Sequence, residues 1–185
     1  MTMQVIEWPQ FLENGLPLEE KFSAMTIGVF DGVHRGHQAL IERVVSHNAD
    51  CTPVVITFRE NHKSSEAGGS IQSLSQKMGI FDQLGVKITL VVDFTESFRR
   101  MKGIEFLEIL VKRGNTGFFA AGKSFRCGYQ LDTDAAAIRE FFASRGVQAE
   151  IVDEVMEGQQ PISSSRIRAA IADGDLKLAQ AMLGR

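Results

Sequence analysis

Short apolar runs alternate along the chain with longer segments of helical periodicity. Five runs are continuous in apolar or β-branched residues, as is typical of strands covered on both faces of a parallel sheet. They are 25–30, 53–58, 88–92, 117–121 and 148–152, and we also allow a short strand over 3–7. Strands that alternate with helices predict β-α-β units.

The segments between these runs carry apolar residues at helical spacing. The predicted helices are 38–47, 73–84, 103–112, 132–145, 163–172 and 175–183. The helix over 73–84 opens on Ser73 and Gln76, in the arrangement of a capping box. The fold class expected is therefore α/β: a Rossmann-like, doubly wound, mainly parallel sheet of about five strands with helices on both faces.

No linker or repeat divides the chain, so 1–185 is expected to be a single domain. Segment 61–70, rich in Ser and Gly, directly follows a strand and is predicted to be a mobile loop. In doubly wound sheets, ligands bind outside the carboxyl ends of the strands. This loop is therefore expected at the functional edge.

Composition excludes several classes of protein. The chain has 185 residues, 44% of them apolar and 23% charged, which is close to globular averages and far from disordered or collagen-like sequences. A formal net charge of −3 lacks the basic footprint of a nucleic-acid binder. The chain has two cysteines without C-x-x-C spacing, no secretory signal and no segment of ~20 apolar residues, so we expect a soluble cytoplasmic protein with no membrane or nucleic-acid partner.

The turn after the first long strand is the first candidate site. His34 and His37 lie three residues apart with Gly36 between them, and Gly28 and Gly32 precede them. At a helix start this spacing can direct both imidazoles toward one volume, where backbone N–H groups favour an anion. A glycine at position 36 allows close approach of a charged oxygen. We therefore predict a phosphate site in this turn.

Other interpretations of the turn have less support. The glycines alone are compatible with simple turn geometry, and a lone histidine near a helix start is often a cap. A zinc site from His34, His37, His47 and Cys51 is a weaker alternative, because His47 is expected about two to three turns down the next helix. The dinucleotide fingerprint and the Walker lysine motif are both absent from the sequence.

Two separated motifs resemble one known family. Residues 28–37 read GVFDGVHRGH, and residues 162–168 read ISSSRIR. Together they resemble the H-x-G-H nucleotidyltransferases, specifically the FMN adenylyltransferase domain of the bacterial bifunctional riboflavin kinase/FAD synthetases, and the similarity runs from 26 to 185. The resemblance implies that AMP passes from ATP to the phosphate of FMN, giving FAD and pyrophosphate.

The resemblance also implies roles for particular residues. The implied catalytic residues are His34, His37, Ser164, Ser165 and Arg168. The implied ATP-binding residues are Gly28, Phe30, Asp31, Gly32, Gly36 and Arg166. The implied flavin-binding residues are Phe58, Asn61, His62, Ser124 and Phe125. Mg²⁺ is expected to accompany ATP through the phosphates, without a dedicated metal cage.

Two flavin-side segments differ from the family pattern. The family usually reads Thr-Phe-Glu-Pro-His-Pro where this chain has TFRENH over 57–62, and Ser124 replaces an Asp or Asn while Cys127 replaces an aromatic residue. These differences leave two alternatives open: a related nucleotidyltransferase with another nucleotide or phosphorylated acceptor, and a flavin- or nucleotide-binding module without turnover. Most phenylalanines are expected in the core, with Phe125 as the exception because it lies in a loop.

The bifunctional family carries a riboflavin kinase domain after a closing Leu-Gly-Arg, which here is 183–185. Kinase activity is not expected of this sequence. FMN is expected from a riboflavin kinase on another chain or on a part of the protein outside this sequence.

Overall fold

Six parallel strands form the central sheet of the molecule. The computed structural model describes residues 2–59 and 69–185. The strands in chain order are β1 Gln4–Glu7, β2 Phe22–Ile27, β3 Cys51–Phe58, β4 Ile88–Val92, β5 Thr116–Gly122, β6 Arg126–Cys127, β7 Thr133–Asp134, β8 Gln148–Val152, β9 Met156–Glu157 and β10 Gln160–Pro161. The large sheet has the order β1-β4-β3-β2-β5-β8, and β6 with β7 and β9 with β10 form small antiparallel pairs.

The described ranges also contain eight α-helices, the last two of which follow β10. They are α1 Trp8–Asn14, α2 Arg35–Val45, α3 Leu74–Gln83, α4 Glu96–Arg100, α5 Gly103–Gly114, α6 Ala135–Ala143, α7 Ser164–Ala172 and α8 Leu176–Leu183. The predicted α/β, Rossmann-like fold is confirmed. The sheet has one strand more than the five long runs, because the short run at the N-terminus pairs with β4 as an edge strand.

Several predicted bounds need correction. Strand β2 ends at Ile27, so the buried Phe30 belongs to the turn and not to the strand. The predicted helix over 132–145 is shorter, because β7 precedes α6 and Asp134 caps the helix. The capping box at Ser73 is confirmed: its side chain accepts from the backbone N–H of Gln76, whose own side chain reaches back to the cap.

The core lies on both faces of the sheet because strand residues point alternately to opposite sides. On β3, Val54 and Ile56 pack toward α1, α5 and α6, whereas Val55 packs toward α2 and α3. Four phenylalanines predicted for the core are buried: Phe118, Phe119, Phe141 and Phe142. Helices α7 and α8 pack on each other through a separate apolar cluster that includes Ile167 and Met182.

The strand order reverses beside β2. From β2 the chain adds β3 and β4 on one side and then β5 and β8 on the other. The crevice at the carboxyl ends of β2 and β5 is therefore the position where this class of sheet binds ligands.

In the described ranges no helix is long and apolar enough to cross a membrane. Residues 60–68, most of the predicted mobile loop, lie outside the described residues.

Candidate active site

The turn between β2 and α2 is unusually bent. Phe30 and Val33 have φ angles of +52° and +37°, and Gly32 has a φ of +82°. Positive φ is uncommon for residues with a side chain and is a genuine strain for a β-branched one. Val33 is fully buried in the apolar cluster below the turn, which holds it in this conformation. The strained backbone therefore depends on packing beneath it.

The two histidines lie against each other at the start of α2. His34 is the N-cap residue, and its Nδ1 accepts from the backbone N–H of His37 at 3.4 Å. Their rings stack with centroids 3.6 Å apart and an interplanar angle of 18°. The ring of His37 also meets the edge of Phe30 at 5.1 Å. The predicted convergence of the two imidazoles is present in the fold.

Gly36 makes room for this stack. A Cβ at position 36 would lie 3.2 Å from both Cε1 and Nδ1 of His34, which is tighter than normal contact. The glycine therefore allows the His34 ring to fold back onto the helix start. Room for an incoming charged oxygen stays a prediction; the structure adds that the glycine also makes room for the neighbouring imidazole.

Burial sets the protonation of both rings. Burial lowers the pKa of His34 to about 4, although a backbone hydrogen bond opposes the shift. Burial also lowers the pKa of His37, and the charges of His34 and Lys77 act in the same direction. Both imidazoles are therefore neutral at pH 7. Since Nδ1 of His34 accepts a hydrogen bond, its proton is on Nε2, which can donate to a ligand.

A network of hydrogen bonds joins this turn to the N-terminus of α7. The Ser164 hydroxyl donates to the backbone oxygen of Asp31 at 2.8 Å. The Asp31 carboxylate pairs with the Arg168 guanidinium at 2.7 Å, and its other oxygen accepts from the backbone N–H of Ile71 at 2.8 Å. Ser163 caps α7 by accepting from the backbone N–H of Arg166. The two separated motifs therefore meet in the fold.

Two neighbouring cavities open at this edge of the sheet. One, of about 260 Å³, is lined by both histidines and by the start of α7, including Ser163 and Ser164. The other, of about 440 Å³, is mostly apolar and is lined by residues that include Phe58, Phe94, Phe98, Phe125, Cys127 and Leu131. Ser124 lines both cavities. The shared serine marks where a ligand in one cavity would reach a ligand in the other.

The predicted site residues do not all lie in these cavities. Ser165 and Arg168 line a third cavity of about 530 Å³ beside Ile71, and Ser165 also accepts from Arg168 at 3.2 Å. The Arg166 guanidinium donates to the backbone oxygens of Gln160, Pro161 and Glu157, so its described contacts anchor the β9–β10 pair.

The remaining predicted residues line the cavities or support them. Gly36 lines the histidine cavity, while Gly28, Phe58 and Phe125 line the apolar one. Phe30 and Asp31 are buried, and Gly32 forms part of the turn. The predicted flavin residues Asn61 and His62 lie outside the described residues.

Sequence reasoning missed Lys77. This lysine on α3 is 5% exposed and donates to the backbone oxygens of Val29 and Phe58 at 3.1 and 3.3 Å and to the Thr57 hydroxyl at 3.4 Å. Burial lowers its pKa, and the carboxylate of Asp31 opposes that shift. Its position four residues before the fully buried Phe81 puts it on the inward face of the helix, which is the signal that could have found it.

Arg59 follows β3 where the family usually has a glutamate. Its guanidinium pairs with Glu7 at 2.6 Å and with Asp93 at 2.8 Å, and so joins the ends of β1, β3 and β4. These exposed ion pairs lie at the sheet edge and are not part of either cavity lining. The departure at this position therefore has a structural use.

The zinc alternative has no ligand set in the structure. Residues 2–59 and 69–185 contain no group of three or more His, Cys, Asp or Glu side chains placed to hold a metal. His47 instead stacks on Phe118 with centroids 3.8 Å apart. Cys51 and Cys127 are free thiols, and burial raises the pKa of Cys127 to about 12.

Comparison with known proteins agrees with this geometry. The FAD synthetase family model matches residues 17–166, which is most of the chain and includes the first motif and the greater part of the second. This chain belongs to the FAD synthetase family. The family match rests on the sequence alone, and the matched range contains both histidines and Ser164.

The chain is also similar to curated bifunctional enzymes that are longer than it is. The chain is 30% identical to the bifunctional riboflavin kinase/FMN adenylyltransferase of Escherichia coli K12 over 167 residues, 86% of this chain and 53% of that protein. It is 30% identical to the Bacillus subtilis protein of the same name over 175 residues, 90% of this chain and 55% of that protein. The chain therefore spans about half the length of these relatives.

Solved structures share the fold of this FAD synthetase family member. A crystal structure described as a macrolide-efflux protein from Streptococcus pneumoniae matches with a TM-score of 0.84 at 26% identity, covering 98% of this chain and 62% of that one. A pantoate-beta-alanine ligase from Francisella tularensis, complexed with beta-gamma ATP and beta-alanine, matches with a TM-score of 0.60 at 13% identity, covering 99% of this chain and 78% of that one. The second likeness concerns the fold alone.

Proposed function

We propose that this protein is an FMN adenylyltransferase that transfers AMP from ATP to FMN and releases FAD and pyrophosphate. The observation that carries the proposal is the pair of adjoining cavities that share Ser124. One cavity has the histidines and a helix N-terminus that suit phosphates, and the other has the apolar, aromatic walls that suit an isoalloxazine ring. Membership of the FAD synthetase family supports the same pair of substrates.

The chemistry proposed for the site needs no protein nucleophile. An oxygen of the FMN phosphate attacks the α-phosphorus of ATP, a bond forms between them, and the bond to pyrophosphate breaks. The enzyme's task is to align the two phosphates and stabilise the negative charge that grows on the leaving group. His34, through its Nε2 proton, His37 and the start of α7 are the donors proposed for that charge. Removal of one such donor typically lowers the rate about 10²- to 10³-fold.

Ser165 and Arg168 are proposed to support the site, whereas Ser164 is proposed to face the ligand. Arg168 is engaged with the Asp31 carboxylate, and both Ser165 and Arg168 line the cavity on the other side of α7. We propose that Arg168 holds α7 against the histidine turn, and that Ser163 and Ser164 face the phosphates directly.

Mg²⁺ is proposed to enter with ATP as the metal–phosphate complex. Mg²⁺ commonly binds through nucleotide phosphates with few protein ligands, so this proposal does not require a dedicated metal cage. The metal would add charge neutralisation at the departing pyrophosphate. The histidines and α7 would orient the same phosphate chain.

Purified protein with ATP, Mg²⁺ and FMN tests this function, with FAD separated by chromatography and pyrophosphate measured in parallel. We expect FAD in the wild type and a fall of about 10²-fold or more in His34→Ala. His47→Ala is the matched control, because His47 stacks on Phe118 and does not line either cavity. Absence of FAD while a known FAD synthetase is active in the same buffer would refute the proposal.

A screen of nucleotides and acceptors distinguishes the alternatives. Pyrophosphate release with CTP, or with a phosphorylated acceptor other than FMN, would indicate a related nucleotidyltransferase. Tight flavin binding without any turnover would indicate a binding module. Macrolide efflux, which the S. pneumoniae protein is named for, is not proposed, because the stacked histidines and the start of α7 favour a phosphate ligand.

A further inference from the structure

Lys77 is a buried cation that the chemistry above does not use. It does not line either of the two cavities. Its ammonium group instead lies behind the wall of the apolar cavity, where it contacts Val29 in the turn after β2 and Thr57 and Phe58 at the end of β3. Within the described ranges its three hydrogen-bond partners are neutral oxygens, which match the three N–H donors of a protonated lysine.

Fold stability does not explain a lysine at this position. An ammonium group that leaves water for neutral acceptors loses more hydration than an apolar side chain of similar volume would, and the Asp31 carboxylate offsets only part of that loss, since the pKa of Lys77 is still lowered. The neighbouring position on the same helix face, Phe81, is fully buried and apolar. The Val29 oxygen also accepts from the Thr57 hydroxyl at 3.2 Å, so it has a partner even without the lysine. A methionine of similar length would carry no charge to desolvate, and replacement of a buried charge by an apolar side chain is often neutral or stabilising.

The contacts of Lys77 lie between the wall of the apolar cavity and the turn that carries the histidines. Val29 and Phe58 both line the apolar cavity. Val29 also leads directly into the strained turn whose next residues include His34 and His37. A clamp on the backbone oxygens of Val29 and Phe58 therefore sets the distance between the wall of one cavity and the phosphate donors of the other.

We propose that Lys77 is a positioning residue for AMP transfer. It fixes the histidine turn relative to the end of β3 and so keeps the FMN phosphate aligned with the α-phosphorus of ATP. This inference rests on the proposed FMN adenylyltransferase activity. It predicts an effect on turnover greater than the effect on ATP binding, because the histidine cavity has none of the Lys77 contacts in its lining and only its position relative to the end of β3 is released. A displacement of about 1 Å in a reacting pair can lower the rate about 10²-fold.

Lys77→Met tests the inference, with Lys87→Met as control because Lys87 is exposed at the opposite end of the sheet, before β4. We expect kcat to fall about 10- to 100-fold in Lys77→Met, the KM for ATP to stay within about threefold, and the unfolding temperature to be unchanged or higher. Lys87→Met is expected to match the wild type in all three measurements. A kcat within twofold of the wild type, or a loss no larger than the unfolded fraction, would overturn the inference.

Thr57→Val gives a second variant that keeps the lysine and the shape of the strand. It removes one acceptor of the ammonium group and one donor to Val29. We expect kcat to fall about threefold, and the double variant to be no slower than Lys77→Met alone, because both changes release the same clamp. If Lys77→Met does not fold, an unchanged kcat in Thr57→Val would overturn the inference. A wild type that makes no FAD would instead refute the proposed function, and this inference with it.

Discussion

Replacement of Asp31 by asparagine should separate the two motifs of the site. The Asp31 carboxylate is 3% exposed and pairs at 2.7 Å with Arg168, whose side chain is 14% exposed. In Asp31→Asn the single amide oxygen can accept either from the backbone N–H of Ile71 or from the Arg168 guanidinium, and the uncharged NH₂ group would then face the other donor. Arg168 would then be a poorly compensated cation in a largely dry contact.

The expected loss follows from the burial of the pair. Removal of one partner of a buried ion pair typically destabilises a protein by about 3–5 kcal/mol, and about 3 kcal/mol is expected here because Arg168 keeps its contact with Ser165. For a domain of this size the unfolding temperature falls about 2–4 °C per kcal/mol, so a decrease of about 6–12 °C is expected. Asp93→Asn is the matched control: its carboxylate is 49% exposed, and its pair with Arg59 should contribute at most about 1 kcal/mol.

Urea denaturation at pH 7 and scanning calorimetry measure both variants, and FAD formation reports the effect on the site. Arg168→Met in the Asp31→Asn background should recover part of the stability, because it removes the charge left without compensation. If Asp31→Asn loses no more stability than Asp93→Asn, the ion pair does not join α7 to the turn, and the reasoning is wrong.

Three further measurements test other parts of the structure. Gly36→Ala should lower kcat about tenfold or more, because the added methyl group would displace the His34 ring. The control is Gly79→Ala on α3, which has open space around it and should keep full activity while the free energy of unfolding rises by about 0.5–1 kcal/mol; equal activity of the two variants would contradict the role of Gly36. The pKa of His34 falls to about 4 in the folded state, so protons bind the unfolded chain more tightly than the folded chain between pH 6.5 and 4. Urea titrations should therefore show that the free energy of unfolding decreases by up to about 3 kcal/mol over that range, and by less in His34→Asn. Trp8, the only tryptophan, packs at 5.6 Å on Phe98 of the apolar cavity, so FMN should quench its fluorescence, and a flavin that binds without quenching would argue for a different site.

Local patterns were sufficient for elements with strong periodicity. The apolar runs predicted strands over 88–92 and 148–152 with the bounds that the structure has, and the Ser73–Gln76 pair predicted the start of α3. Short elements such as α1, α4 and the β6–β7 pair were missed, because a few residues carry too little periodicity and form only against their neighbours.

In the candidate site too, some features follow from local spacing and others depend on tertiary packing. The spacing of His34 and His37 within one helical turn predicted their convergence, since residues three apart lie on one face. The stacking of the rings and the space that Gly36 leaves for them depend on the bent turn and on the packing beneath it. Arg166 and Arg168 have similar neighbours in the sequence. In the fold Arg166 binds the β9–β10 pair, whereas Arg168 binds the buried Asp31 carboxylate.

The sequence by itself determined the order of the main strands and helices, the two motifs that the fold brings together, and the family. Only the tertiary structure decided which side chains leave water. Asp31 meets Arg168 across 137 residues of chain, and Lys77 reaches backbone oxygens on two different segments. Periodicity reports neighbours within a turn or a strand, whereas burial and pairing depend on remote segments brought together by the sheet.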